Sequence, residues 1–329
     1  MSATWVSQLV LGLTPTGQGP RPRDASLARL GALCGVPVAL GAYAPAVQLA
    51  GELSDKQAIM LQCGTYAVAL VALGGVHLAS QRARARIPRS TWRSGIELGL
   101  WLSLAGALEL LGLQRTDAAR AGFLVRLSTA IVPLAEALCE RRAPTPRTCV
   151  AVSISSVGAA LVILTPGVGA AFSSTIAGDC LVACAALLYS GHIVRLSSLA
   201  PNHAPLPLAI TKAATGMLFA QLTLAVGYLW RGSTTMHLRT IPRLWRTALF
   251  TGLVTCAFPA WAQSFGQQRV RASQASLVVA TAPVWNAVFA AWLLGQQLTR
   301  RALLGASLMI SGQLLSIFAH DPKPTTEVP

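Results

Sequence analysis

The sequence predicts an all-α integral membrane protein, with ten transmembrane helices arranged as two inverted five-helix repeats. Of its 329 residues, 53% are hydrophobic and only 11% are charged, and the mean hydropathy is +0.55. A soluble domain carries about 25% charged residues. At about 20 residues for each span, ten spans need about 200 residues, which this length provides.

The net charge is +15, and the positions of the basic residues also favour a membrane protein. Basic residues concentrate in gaps between apolar segments, mainly at Arg82–Arg93 and Arg141–Arg147. Polytopic membrane proteins place Lys and Arg in cytoplasmic loops in this way. Nucleic-acid binding is not expected, because phosphate contacts need a continuous basic face. The bias predicts that both termini face the cytoplasm, or the stroma, since a plasma membrane and a plastid envelope fit the pattern equally.

Ten apolar segments, offered as membrane-spanning helices, follow one another along the chain. Short linkers separate most of them, so sequence neighbours should form antiparallel hairpins. The third, fourth and fifth segments are short or interrupted by charge. The segments lie at about residues 30–50, 57–80, 95–113, 118–139, 147–165, 176–198, 206–230, 245–267, 272–295 and 301–319.

The segments divide the chain into two halves. Residues 166–175 are rich in glycine and uncharged, which is typical of a linker. The predicted first repeat therefore covers 27–165 and the second covers 176–319. Residues 1–26 are predicted to form a disordered arm, because their apolar run is too short to span a membrane. Residues 320–329 form a C-terminal tail.

The halves share a sequence pattern at one offset of 154 residues. Gly112-Leu113-Gln114-Arg115 corresponds to Gly266-Gln267-Gln268-Arg269, and Gly158 corresponds to Gly312. Each intervening segment contains a proline, Pro133 or Pro283. Five spans is an odd number, so the second half must enter the membrane inverted. Inverted repeats with a binding site at their interface are common among transporters.

The stretches Glu97–Leu138 and Gly252–Gly312 resemble the EamA type of the drug/metabolite transporter superfamily. The resemblance implies a ten-helix exporter or exchanger of small metabolites. Members of that family often have Gly-Glu-Arg after the ninth helix, whereas this chain has Gly295-Gln296-Gln297. The resemblance is informative about the fold and says little about the substrate.

Two charges inside apolar segments are the first candidates for a binding site. Glu109 lies in the third segment and Arg126 in the fourth. Counted from the connecting turn, their depths differ by about 6 Å, which an arginine side chain can cover. A charge at the bilayer centre costs about 3 kcal/mol. The two residues are therefore predicted to pair, either as the lining of a central cavity or as a structural ion pair.

Uncharged polar and aromatic residues complete the predicted substrate-binding site. Pro283 should bend the ninth helix and free a backbone carbonyl, which is tolerated beside a cavity. Asn286 is expected to point into that cavity, with an aromatic wall beside it. Besides Glu109 and Arg126, the residues of the predicted substrate-binding site are Trp261, Gln263, Trp285, Asn286, Tyr43 and Gln48.

Other ionisable residues have structural interpretations. Lys212 is expected to extend its ammonium group to the lipid headgroups. Glu136 is expected at the membrane interface, near Arg141. His192 is expected to be a satisfied core or interface histidine. The seven cysteines are interpreted as small packing residues, since none lies in a metal-binding spacing.

Together these features predict a secondary transporter of a small polar metabolite that works by alternating access. No nucleotide-binding or hydrolase motif is present in the sequence, so we expect no enzyme activity, no cofactor and no metal. The predicted partners are the metabolite and the lipid bilayer, and the sequence allows a homodimer. The alternative is a membrane receptor or scaffold that has a carrier-like fold but transports nothing.

Overall fold

The computed structural model describes residues 22–50, 55–80, 86–113, 115, 124–125, 127–141, 143–163, 176–231, 241–295 and 300–318. Within these residues the regular structure is helical and contains no strand, as the all-α prediction requires. The first helix begins at Pro22, inside the predicted arm. Residues 1–21 and the C-terminal tail lie outside the described residues.

The helices follow the apolar segments of the sequence. A single turn of 3₁₀ helix, Ala200–Asn202, joins α7 to α8. The helices are α1 (Pro22–Gly41), α2 (Tyr43–Leu49), α3 (Asp55–Ala79), α4 (Arg89–Leu113), α5 (Ser128–Glu140), α6 (Pro146–Ile163), α7 (Ile176–Leu199), α8 (Pro205–Arg231), α9 (Ile241–Phe250), α10 (Phe258–Gly266), α11 (Ala272–Val279), α12 (Ala282–Leu294) and α13 (Arg300–Phe318).

Five stretches of the described chain are long and apolar enough to cross a bilayer. Their lengths, from 20 to 27 residues, match the thickness of the hydrocarbon core. Together with the helical fold they define an integral membrane protein. The five stretches are Ala28–Val47, Gln57–Ala79, Ile176–Asn202, Pro205–Val226 and Ala272–Leu293.

Three helical segments are interrupted next to a proline. Pro45, Pro259 and Pro283 each lie in the first turn of the helix that follows the interruption, where the missing N–H is tolerated. Before Pro259 the chain forms a π-helical segment, Thr251–Ala257. The break predicted at Pro283 is present, and the Thr281 hydroxyl donates to the Val278 carbonyl there at 2.8 Å. The Thr281 backbone N–H donates to the same carbonyl at 3.2 Å, so the Val278 carbonyl is satisfied at the break.

Helices of the first predicted half pack against helices of the second, so the two halves do not form separate bundles. Helix α4 packs against α7 and α8, whereas α1 packs against α10 and α12. The largest apolar core contains Leu33 of α1, Ala69 of α3, Ala209 of α8 and Ala262 of α10. The interface between the halves therefore occupies the centre of the fold.

Helices α6 and α13 make the closest backbone contact, through glycines. A Cβ atom at Gly158 would lie 2.6 Å from the Gly305 carbonyl oxygen. A Cβ atom at Gly312 would lie 2.8 Å from the Ala151 carbonyl oxygen. Small residues allow such close approach, which supplies much of the packing energy between helices in lipid.

Candidate functional site

A hydrogen bond between the halves lies beside one predicted site residue. Glu109 is half-buried on α4, and the Tyr189 hydroxyl of α7 donates to its Oε2 at 2.8 Å. A carboxylate acceptor makes this bond stronger than one between neutral groups. Gly106, one turn before Glu109, faces the Tyr189 hydroxyl and leaves space for the ring. Helix α4 of the first half and α7 of the second half thus share a polar contact inside the bundle.

Tyr43 lies close to this contact. It begins α2, directly after the interruption that follows Gly41. Its side chain is 45% exposed. The hydroxyl interacts electrostatically with Glu109 and with Cys256 of the π-helical segment. Tyr43, Glu109 and Cys256 therefore lie in one region of the bundle.

Two of the predicted site residues cannot be placed relative to Tyr43 and Glu109. Arg126 lies outside the described residues, so its pairing with Glu109 stays a prediction. Gln48 belongs to α2, but its side chain lies outside the described part of the chain.

The aromatic residue Trp261 is packed in the core. It is buried on α10, with its ring stacked on Phe265 at a centroid distance of 5.4 Å and tilted against Phe258 at 6.3 Å. Gln263, on the same helix, is half-buried. Binding of a substrate by either residue stays a prediction.

Trp285 and Asn286 lie where α12 meets the end of α1. A Cβ atom at Gly41 would lie 2.5 Å from Trp285 Cβ and 2.8 Å from the Asn286 backbone nitrogen. This close approach places the first turn of α12 two residues from Tyr43 along α1 and α2. The Asn286 side chain is half-buried and Trp285 is partly exposed. Trp285 and Asn286 therefore lie near Tyr43 in the fold, and their contribution to a binding site stays a prediction.

The predicted position of Lys212 is wrong. Its side chain does not extend to the headgroups but is 4% exposed on α8. Glycine at position 99 lets α4 approach so closely that a Cβ atom there would lie 3.1 Å from the Lys212 carbonyl. The ammonium group interacts electrostatically with Cys256 and with His192 instead. Packing of α8 against α4 thus keeps the lysine inside the bundle.

The prediction for Glu136 also needs correction. The side chain is buried, and its two carboxylate oxygens accept hydrogen bonds from the backbone nitrogens of Ala272 and Ser273, at 3.1 and 2.9 Å. These nitrogens belong to the first turn of α11, which has no helical acceptor for them. A carboxylate also suits the positive end of a helix dipole. Glu136 therefore caps α11 from α5.

Two polar contacts between α4 and the end of α7 have no counterpart among the sequence predictions. The Arg195 guanidinium contacts the Glu97 carboxylate through Nε and, at 3.2 Å, through a second nitrogen. His203, after α7, contacts the hydroxyls of Thr91 at 3.2 Å and Ser94 at 2.8 Å. The sequence signals were an acid and a base inside apolar segments, but their spacing of 98 residues gave no reason to pair them.

His203 should make stability depend on pH. Burial lowers the pKa of His203 below its usual value near 6.5, so the fold favours the neutral ring. The stabilisation is complete above the unfolded pKa and is lost as pH falls through the folded pKa. We expect the thermal midpoint of the detergent-purified protein to fall as the pH drops below about 6.5. His203→Gln should flatten this slope, and equal slopes for both proteins would exclude His203 as the cause.

Long apolar helices, interrupted spans and polar contacts between α4 and α7 are features of a polytopic membrane protein. Residues 176–318 match the family described as the EamA-like transporter family. The resemblance stated from the sequence is thereby confirmed for the second half. Members of that family are membrane transporters.

Solved structures support the fold. Twenty-nine chains of solved structures match this fold. One of them, from a crystal structure of a protein, matches with a TM-score of 0.73 and 15% sequence identity. The match covers 91% of this chain and 98% of the other. At that identity it shows the fold alone. The search of curated proteins found no significant match.

Proposed function

We propose that the protein is a ten-helix secondary transporter whose halves are inverted repeats and whose substrate, a small polar metabolite, binds near the membrane midplane between them. The observation that carries this proposal is the polar contact of Glu109 with Tyr189 inside the bundle, between the predicted halves 27–165 and 176–319. Ionisable groups within spans are costly and mark substrate or ion pathways. The match of residues 176–318 to a transporter family supports the same assignment.

Helix boundaries support the repeat. Helix α5 covers Ser128–Glu140, and α12 covers Ala282–Leu294, which is the same interval displaced by 154 residues. Each helix ends at a residue with a left-handed backbone, Arg141 with φ 52° and Gly295 with φ 66°. The offset found in the sequence therefore also relates the positions at which these two helices begin and end.

The contact between α6 and α13 follows the same offset of 154 residues. Gly158 approaches Gly305, and Gly312 approaches Ala151. Adding 154 to 158 and to 151 gives 312 and 305, so exchange of the two helices converts one contact into the other. A two-fold relation between the halves produces this pattern.

A second pair of glycines connects each half to the first helix of the other. Gly112, at the end of α4, approaches the Gly178 carbonyl at the start of α7. Gly266, at the end of α10, approaches the Arg29 carbonyl near the start of α1. Equivalent glycines thus make equivalent contacts across the interface. This arrangement supports alternating access, in which the halves move against each other around a shared site.

A transport experiment tests the proposal. Proteoliposomes loaded with a mixture of small polar metabolites should lose at least one compound faster than protein-free liposomes with the same load, as measured by mass spectrometry. Glu109→Gln should slow that loss about tenfold or more, equivalent to about 1.4 kcal/mol. Glu97→Gln is the matched control, since Glu97 lies on the same helix but forms an exposed ion pair with Arg195. Loss profiles identical to those of protein-free liposomes would contradict the proposal and favour a receptor or scaffold.

A further inference from the structure

A groove runs along the outer surface of the bundle between α3 and α9. Its volume of about 340 Å³ lies within the range of ligand pockets, which is about 300–1,000 Å³. Its lining is apolar and continues into the π-helical segment that follows α9. The lining includes Ala67, Val68, Val71, Trp245, Leu249 and Leu253.

The two walls of the groove meet closely behind it. The hydroxyls of Thr65 and Thr251 form a hydrogen bond at 2.7 Å, and both residues are buried. A Cβ atom at Gly252 would lie 2.6 Å from Val68 Cβ and 2.8 Å from the Thr65 carbonyl oxygen. Helix α3 and the π-helical segment are therefore in contact on the inner side, and the groove opens on the outer side.

The open side of the groove faces the bilayer. Helix α3 contains the span Gln57–Ala79, and the side chains at the rim are exposed, by 75% for Val71, 58% for Trp245 and 54% for Leu249. The eight residues from Trp245 to Leu253 advance about 12 Å along the helix axis. One leaflet of the hydrocarbon core is about 15 Å thick. The groove therefore has the polarity and the length that suit a lipid acyl chain.

Two arginines lie near the start of α9, beside one end of the groove. Arg243 and Arg246 are exposed, and within the described part of the chain neither forms an ion pair with a carboxylate. Arg246 precedes Leu249 by three residues, a spacing at which side chains share one helix face. Trp245 lies between the arginines, and tryptophan is enriched at the level of the headgroups. Helix α9 thus changes from cationic to apolar along its axis, as a phospholipid changes from phosphate to acyl chain.

The charges at this end select the headgroup. A phosphodiester supplies a negative charge and acceptor oxygens, which guanidinium groups bind well. A choline or ethanolamine headgroup would add a cation next to the arginines, and like charges repel. A phosphatidylglycerol headgroup contains no cation. The arrangement therefore favours an anionic phospholipid over a zwitterionic one.

We propose that the groove between α3 and α9 is a binding site for one anionic phospholipid of the bilayer. An acyl chain packs against Trp245, Leu249 and Leu253, while the phosphate binds Arg246, with Arg243 beside it. The bound lipid covers apolar surface of both helices. This inference goes beyond the proposed transport function and does not depend on it.

Lipid that stays bound during purification tests the site. The full chain is reconstituted into vesicles of equal parts phosphatidylglycerol and phosphatidylcholine with the same oleoyl chains, extracted in mild detergent and passed through gel filtration. Mass spectrometry then measures the retained lipid. Each basic residue near the membrane surface increases attraction to anionic lipid about fivefold. We expect one phosphatidylglycerol molecule per chain, enriched about tenfold or more over phosphatidylcholine.

Variants assign the retained lipid to the groove. Arg246→Gln should lower the enrichment about fivefold and leave the thermal midpoint in lipid-free detergent unchanged, because the residue is exposed. Arg300→Gln, at an exposed arginine that begins α13, is the matched control. Ala67→Phe should fill the groove and reduce the total retained lipid. Leu78→Phe, at an exposed position of α3 outside the groove, is the control for the added ring.

Three outcomes would overturn the lipid site. They are equal retention of the two lipids by the wild type, undiminished enrichment in Arg246→Gln, and wild-type retention in a folded Ala67→Phe variant. If Ala67→Phe does not fold, Arg246→Gln decides alone. A dimer that Ala67→Phe converts to a monomer in light scattering would assign the groove to a second copy of the chain and would also contradict the proposal. None of these outcomes changes the transport expected in proteoliposomes, so the two proposals fail separately.

Discussion

Gly158→Leu should prevent stable packing of α6 against α13. The new side chain would meet the Gly305 carbonyl and the Met309 backbone nitrogen, which a Cβ atom alone would approach to 2.6 and 2.8 Å. Backbone atoms cannot move aside as a flexible side chain can, so the helices must separate. Overpacking costs about 1–3 kcal/mol in a soluble core, and loss of small-residue packing adds to this in lipid. We expect little folded protein in gel filtration and a midpoint lower by several degrees.

Gly74→Leu is the matched control for this variant. Gly74 also lies within a helix, α3, but a Cβ atom there would have no neighbour within 4 Å. It should elute and unfold as the wild type does. Equal behaviour of the two leucine variants would show that the contact between α6 and α13 is not as close as described.

Glu136→Ala should destabilise the junction of α5 and α11. The substitution removes two charge-assisted hydrogen bonds and leaves the Ala272 and Ser273 nitrogens buried without acceptors. Hydrogen bonds to charged groups contribute about 1.5–3 kcal/mol each, and unsatisfied donors cost a similar amount. We expect a loss of at least about 2 kcal/mol in the free energy of unfolding.

Glu136→Gln distinguishes the contribution of the charge to stability from that of the hydrogen bonds. Glutamine keeps one acceptor oxygen, so it should recover part of the stability that alanine loses. Denaturant titration in detergent measures both variants. Wild-type stability of Glu136→Ala would mean that Glu136 faces the membrane interface, as the sequence alone suggested.

Much of the fold was predictable because membrane helices are determined by local composition. Every apolar segment of the sequence contains a helix, and the offset of 154 residues reappears in the bounds of α5 and α12. The interruption before Pro283 was also predictable, because proline lacks the N–H that a continuous helix needs.

The site was less predictable because it depends on which helix faces meet. Lys212 lies two turns into α8, a depth from which a lysine normally reaches the headgroups. The structure shows instead that its side chain is buried on α8, which packs against α4 at Gly99. Likewise, Glu136 and Ala272 are 136 residues apart, so their hydrogen bond has no local signature. Glu109 was identified because a carboxylate within a span is unusual in itself.

Cys256 offers the most direct test of a site between the halves that opens to both sides of the membrane. In a variant whose remaining cysteines are replaced by serine, a small membrane-impermeant thiol reagent is added to either face of oriented vesicles. We predict modification of Cys256 from both faces, because alternating access exposes a midplane site to each side in turn. A variant retaining only Cys139, near the end of α5, should react from one face. Modification of Cys256 from a single face, or from neither, would contradict the account.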